Sequence, residues 1–144
     1  LEKEESFPAI VPEAEEIILP EKITSIAEGT FMDCKSLEKI NWNKCKELRV
    51  IEEYAFHGCE ALTSLDISEW DTSKVVDISE MFSGCTNLKS VRIPRSVTNI
   101  GGYAFQGCNN LTDVYFSGTQ AQWAAITIGT YNDPLSNATI HYNS

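Results

Sequence analysis

The feature that most constrains this chain is a repeat: Phe31, Phe56, Phe82 and Phe105 recur at spacings of 25, 26 and 23 residues, each with the same companions. Three residues after each Phe stands a cysteine (Cys34, Cys59, Cys85, Cys108), and three further on a leucine (Leu37, Leu62, Leu88, Leu111). A period of this length defines a supersecondary unit too small to bury its own apolar face. Such units are stable only when stacked, so equivalent side chains pile into shared columns.

Each of these leucines opens a run with apolar residues at i, i+3 and i+5: Leu37, Ile40, Trp42; Leu62, Leu65, Ile67; Leu88, Val91, Ile93; Leu111, Val114, Phe116. The last two positions alternate with polar ones, which predicts a short strand with one face in a core and the other in solvent. Ile17 and Leu19 before Pro20 repeat Val91 and Ile93 before Pro94, so a further strand is expected to start the stack. Ile26, Ile51, Ile78 and Ile100 add another apolar column before the Phe. The intervening segments, such as Glu52 to Cys59, read as one or two helical turns. Gly58, Gly84 and Gly107, with Asp33 in the first copy, stand where a left-handed residue would end each of them.

A coil of strand, turn, short helical turn and turn with this leucine spacing is of the leucine-rich type. The expected fold is an α/β repeat: a right-handed solenoid of about five coils, with a parallel sheet on one face and short helical turns on the other. Neighbouring strands would lie about 4.8 Å apart. The solenoid is placed at residues 17–116. Residues 117–144 depart from the template and read as a C-terminal cap. Within the cap, a helix over Gln120–Ala125 is capped by Thr119, and Ala124, Ile126 and Ile128 follow, with Trp123 as a bulky apolar plug. A turn at Asn132, Asp133 and Pro134 then leads to a last strand over Ala138–Tyr142.

With 144 residues and 42% hydrophobic content the chain suits one domain. Its 11 basic and 21 acidic residues give a net charge of −10, which disfavours nucleic acid or an anionic membrane surface as partner. Six of the acids fall in residues 1–16 against only Lys3, and with Pro8 and Pro12 this stretch reads as an extended acidic leader or linker. No apolar run is long enough to cross a bilayer, so direct membrane insertion by this fragment is not expected. A start at Leu1 rather than Met points to a trimmed chain, which leaves a secretion signal unreadable here.

The stretches IILPEKITSIAEGTFMDCKSL (17–37) and VRIPRSVTNIGGYAFQGCNNL (91–111) resemble the BspA-like leucine-rich repeat proteins of bacteria. The copy from Asp66, DISEWDTSKVVDISEMFSGCTNLKSV, is similar to a related surface-protein repeat with an Asp-Thr-Ser segment before a Met-Phe-x-x-Cys run. The ending, VYFSGTQAQWAAITIG through ATIHYNS, is similar to one such arrays often carry. The resemblance covers about residues 17–144. It implies secreted or surface-anchored parents, some of them adhesive, and brings no catalytic motif or cofactor.

The residues with reactive side chains fit structural roles. One Cys per coil spreads four thiols over roughly 15 Å, whereas tetrahedral zinc needs four ligands on one point. Ladder neighbours have parallel Cβ vectors, poorly aimed for disulfides, so these thiols are expected to be small apolar core residues. Cys45 lies outside the ladder and, if exposed, is a site for an intermolecular bridge. His57 shares its repeat position with Met32, Ser83 and Gln106 and reads as a variable surface site. A Cys59–His57 dyad lacks a third orienting residue, and Glu52 and Glu53 read as a solvated turn rather than a glycosidase pair. No metal, cofactor or catalytic residue is assigned.

What remains is the outward face of the sheet. Alternation places there Glu16 and Ile18, then Lys39, Asn41 and Asn43, then Ser64, Asp66 and Ser68, then Ser90 and Arg92, then Asp113, Tyr115 and Ser117. Solenoids commonly bind through such a face. The candidate binding residues are therefore Lys39, Asn41, Asn43, Ser64, Asp66, Ser68, Ser90, Arg92, Asp113 and Tyr115. Asp66 and Arg92, on adjacent coils, are expected to form an ion pair. The leading expectation is a non-catalytic adhesion or protein-interaction module that binds a host or bacterial protein or glycan. The alternatives are a spacer that displays a neighbouring domain and an accessory targeting module of a larger surface enzyme. They differ in whether the isolated fragment has a partner.

Overall fold

A computed structural model of the chain describes residues 13–42, 44–68 and 78–144. Along it run β1 (Glu16–Ile18), β2 (Ser25–Ile26), β3 (Lys39–Asn41), β4 (Val50–Ile51), β5 (Ser64–Asp66), β6 (Ser90–Ile93), β7 (Asn99–Ile100), β8 (Asp113–Phe116), α1 (Gln120–Ala124), β9 (Thr127–Ile128), α2 (Asp133–Asn137) and β10 (Thr139–His141). Among the described residues all pairings are parallel, as stacked coils require. The front ladders are β1–β3 and β5–β6–β8–β10, and shorter ladders, β2–β4 and β7–β9, run at a second position of the coil. The result is a parallel-sheet solenoid of about five turns with few helices.

The front sheet is divided between β3 and β5, and a side chain spans the division. Trp42, buried at the end of β3, donates its indole N–H to the backbone oxygen of Asp66 at 2.8 Å. Its ring also meets Phe56 edge-on, with centroids 5.7 Å apart.

The predicted strands form because their inward residues fill the core. Val91, Val114, Leu65 and Ile17 are buried at the strand centres, while their neighbours face out. Behind them Phe31, Phe56, Phe82 and Phe105 are fully buried and stack in sequence, with centroids 5.1, 5.5 and 5.6 Å apart. Burying each ring contributes about 1.5–3 kcal/mol over leaving it exposed, and the offset stacking adds to that.

The segments read as helical turns are successive three-residue turns rather than continuous helix. Two left-handed residues per coil break the helical path. One is two positions after Phe (Asp33, Gly58, Gly84, Gly107), as expected, and the other is two before it (Gly29, Tyr54, Glu80, Tyr103). The backbone N–H groups then alternate. Met32 and Cys34 bond within their own coil, to Gly29 and Phe31, whereas Gly29, Phe31 and Asp33 donate to Glu53, Ala55 and His57 of the next coil. Phe56 and Gly58, then Phe82 and Gly84, repeat the inter-coil bonds. The back of the solenoid is thus tied coil to coil, and buried amides are satisfied without a helix.

The C-terminal segment follows the path of a further coil, since β9 pairs with β7 and β10 with β8. Thr119 caps α1 as expected, in a capping box with Gln122. Trp123 is half-buried, edge-on to Phe116 at 5.2 Å, and Ile126 is buried. Ala124 is exposed, and Leu135 of α2 is buried. The turn expected at Asn132–Pro134 instead opens α2, with Pro134 in the first turn, where its missing N–H costs nothing. Among the described residues no helix is long and apolar enough to cross a membrane.

Candidate interaction face

The register of the front ladder fixes which outward side chains meet. Ser64, Ser90, Asp113 and Thr139 form one row across β5, β6, β8 and β10, and Asp66, Arg92, Tyr115 and His141 form the next. On the other front ladder Lys39 stands opposite Glu16, and Asn41 opposite Ile18, which is 57% exposed.

The second row is ordered by ring contacts. The Arg92 guanidinium lies over the Tyr115 ring, 4.9 Å from its centroid. The opposite side of the row is closed by His141, stacked on Tyr115 at 4.6 Å with 12° between the planes. His141 in turn places Nε2 2.8 Å from Oδ1 of Asp113, whose Oδ2 accepts from the Thr112 hydroxyl. Those hydrogen bonds, His141 first and Thr112 second, hold the Asp113 carboxyl below the usual carboxylate range.

The expected ion pair between Asp66 and Arg92 is not formed. Asp66 turns its Oδ1 to the backbone N–H and hydroxyl of Ser68, two residues on, while Arg92 spreads on Tyr115. An exposed pair would contribute only about 0–1 kcal/mol, and a local Asx-type turn at Asp66 and a cation–π contact at Arg92 take its place.

Of the remaining candidates, Lys39, Ser64 and Ser68 are exposed and Asn41 and Ser90 half-buried, while Asn43 lies outside the described residues. Ser117 is half-buried, and its hydroxyl accepts from the backbone N–H of Arg95. His141 was missed by sequence reasoning as a member of this face. The signal for it was present: it falls 26 residues after Tyr115, one repeat on, in a run that alternates like a strand.

The chemistry of the other reactive residues points inward. Cys59, Cys85 and Cys108 are buried and free, and each thiol donates to the backbone oxygen of the preceding coil's Phe, at 3.2, 3.3 and 3.3 Å. Burial pushes Cys59 and Cys108 up to about 12, and Cys85 also rises for the same reason, so these thiols are protonated donors rather than nucleophiles. Cys45 is half-buried against the core. His57, expected as an ordinary surface residue, is half-buried, with its ring edge-on to Tyr54 at 5.7 Å. Among the described residues no group of three or more His, Cys, Asp or Glu could hold a metal ion.

Stacked parallel strands, a Leu and Phe interior and a Cys ladder define a leucine-rich repeat solenoid. The model of the BspA type leucine-rich repeat region matches residues 4–127 in six copies, and the chain belongs to that family. It is similar to a leucine-rich cell surface protein from Faecalibacterium prausnitzii, with 34% identity over 78% of this chain and a TM-score of 0.68. A leucine-rich repeat protein from Eubacterium ventriosum shares the fold at 19% identity over 94% of this chain, with a TM-score of 0.60. The chain spans 28% of the first protein's length and 45% of the second's. No curated protein matches the chain in sequence.

Proposed function

We propose that this chain is a non-catalytic interaction module of a bacterial secreted or cell-surface protein, and that it binds a macromolecular partner through the C-terminal half of its front sheet. The observation that carries this reading is the row of Arg92, Tyr115 and His141. These are outward side chains held in contact with one another by the stacking of three coils. A planar cation and two rings on strands are pre-organised, so a partner would lose little side-chain entropy in docking. The surface location is supported by the family and by the cell surface protein to which the chain is 34% identical.

The test is a screen of the isolated chain against extracellular proteins and glycans, repeated with Asp66, Arg92 and Tyr115 all changed to Ala. A ligand of this face is expected to lose at least about tenfold in affinity, while stability to urea changes by no more than about 1 kcal/mol. Binding that survives the triple change would reject the face.

A spacer role is the second reading, and the coil-to-coil hydrogen bonds on both faces favour it, because they suit a stiff rod. It predicts that the isolated chain has no partner of its own.

A further inference from the structure

Charge is divided along the solenoid. Residues 78–144 contain three basic residues (Lys89, Arg92, Arg95) and three acidic ones (Glu80, Asp113, Asp133), so the whole net charge of −10 lies in residues 1–77. All three cations belong to a single coil: Arg92 is in β6, and Lys89 and Arg95 flank that strand. Each is exposed, and among the described residues none of them is ion-paired.

Among the described residues, the two carboxylates on the strands that flank β6 are engaged. Asp113 is held by His141 and Thr112, and Asp66 by Ser68. Arg92 is different: its guanidinium lies over the Tyr115 ring, and among the described residues its N–H groups meet no acceptor. A guanidinium held over a ring with its donors open is matched by a carboxylate, which accepts two parallel N–H bonds. Resting on the docking face proposed above, we propose that this face takes a carboxylate-bearing segment of a protein, with Arg92 as the bidentate anchor and Lys89 and Arg95 on the rim.

A peptide fits better than an acidic polysaccharide. Both faces of Tyr115 are covered, by Arg92 and His141, so no open face is left there for a sugar ring to stack on. Asp and Glu carboxylates, carried on flexible stems, can reach the ring edges from above. Of the acidic first half, Asp66 stands directly opposite Arg92 in the ladder, with its carboxylate turned to Ser68. Surface charges more than about 8 Å away are screened at physiological ionic strength.

Titrating the 144-residue chain with a synthetic oligoglutamate tests the proposal, with oligoglutamine and polygalacturonate as comparison probes. Oligoglutamate should bind and oligoglutamine should not. Arg92→Gln and Arg92→Lys should each weaken binding by at least about tenfold, because Lys keeps the charge but loses the fork. Lys89→Gln should weaken it by no more than about threefold, as rim charges do. Unfolding curves that match the parent would establish that the variants are folded. Absence of oligoglutamate binding, equal binding of oligoglutamine, indifference to Arg92→Gln, or preference for polygalacturonate would overturn the carboxylate-peptide assignment. A screened ligand that depends on Arg92 and Tyr115 but is not displaced by oligoglutamate would keep the docking face and reject only this partner. If no ligand depends on those residues, both readings fail.

Discussion

Single side chains in this protein do work that their type alone does not announce. The ladder cysteines are donors as well as filler, since each thiol reaches back to a Phe carbonyl that also accepts the amide of the cysteine in its own coil. Burial keeps Cys59 and Cys108 protonated up to about pH 12 in the folded chain, whereas an exposed thiol titrates near 9. Their contribution is therefore complete below about pH 9 and declines as pH rises toward 12, by about 1.4 kcal/mol per pH unit for each thiol. Urea unfolding across that range should show a shallower decline for the Cys59→Ala, Cys108→Ala double variant; equal slopes would contradict the assignment. Asn132 is the other such residue. It is buried, and its Oδ1 accepts the Phe105 N–H at 3.0 Å while its Nδ2 donates to the Gly101 and Gly129 oxygens. Where a further coil would offer a backbone carbonyl to Phe105, this side chain supplies one. Asn132→Ala should cost about 1–3 kcal/mol or more in denaturant unfolding, because it strands a buried amide. Neighbouring Asp133→Ala, at an exposed site, should cost about 0.5 kcal/mol or less.

Among the elements, what was legible in the sequence is what repeats with a period that physics ties to one structure. Alternation around Leu65, Val91 and Val114 identified β5, β6 and β8, and the Gly58, Gly84 and Gly107 column identified a left-handed turn in every coil. The second left-handed column was hidden because Tyr54, Glu80 and Tyr103 occupy it without a glycine, and two such breaks per coil leave turns where helical turns were expected. The paired residues of β2, β4, β7 and β9 are too short to show any periodicity. At the C-terminus, Asn-Asp-Pro reads equally as a turn and as a helix start, so α2 was missed. The candidate face was half legible: alternation gave its residues, but not that Arg92 would choose Tyr115 over Asp66, which depends on side-chain geometry. One close approach in this region gives a further prediction. A Cβ on Gly129 would lie 2.4 Å from the Gly102 nitrogen and 2.8 Å from the Gly101 carbonyl carbon, all backbone that side-chain motion cannot clear. Gly129→Ala should therefore destabilise the β7–β9 pairing by about 2 kcal/mol or more, whereas at Gly102, where the nearest atom is 3.6 Å away, Ala should be tolerated. Thermal unfolding of the two variants separates them.

At the scale of the molecule, the proposed function and the stability draw on the same stacking. The outward row from Asp66 to His141 exists because consecutive coils are held in register, and the register is held by columns that each coil shares with its neighbours. Coils in such an array interact mainly with the next coil, so energetic coupling should be strong between adjacent members of a column and weak between distant ones. A double-mutant cycle in urea on the Phe column measures this directly, using Phe→Leu changes to limit cavity formation. Phe56 and Phe82, stacked at 5.5 Å, should couple by about 0.5–1.5 kcal/mol, while Phe31 and Phe105, three coils apart, should be additive within about 0.5 kcal/mol. Additivity at the adjacent pair, or equal coupling at the distant one, would contradict the shared interior on which the proposed interaction face is built.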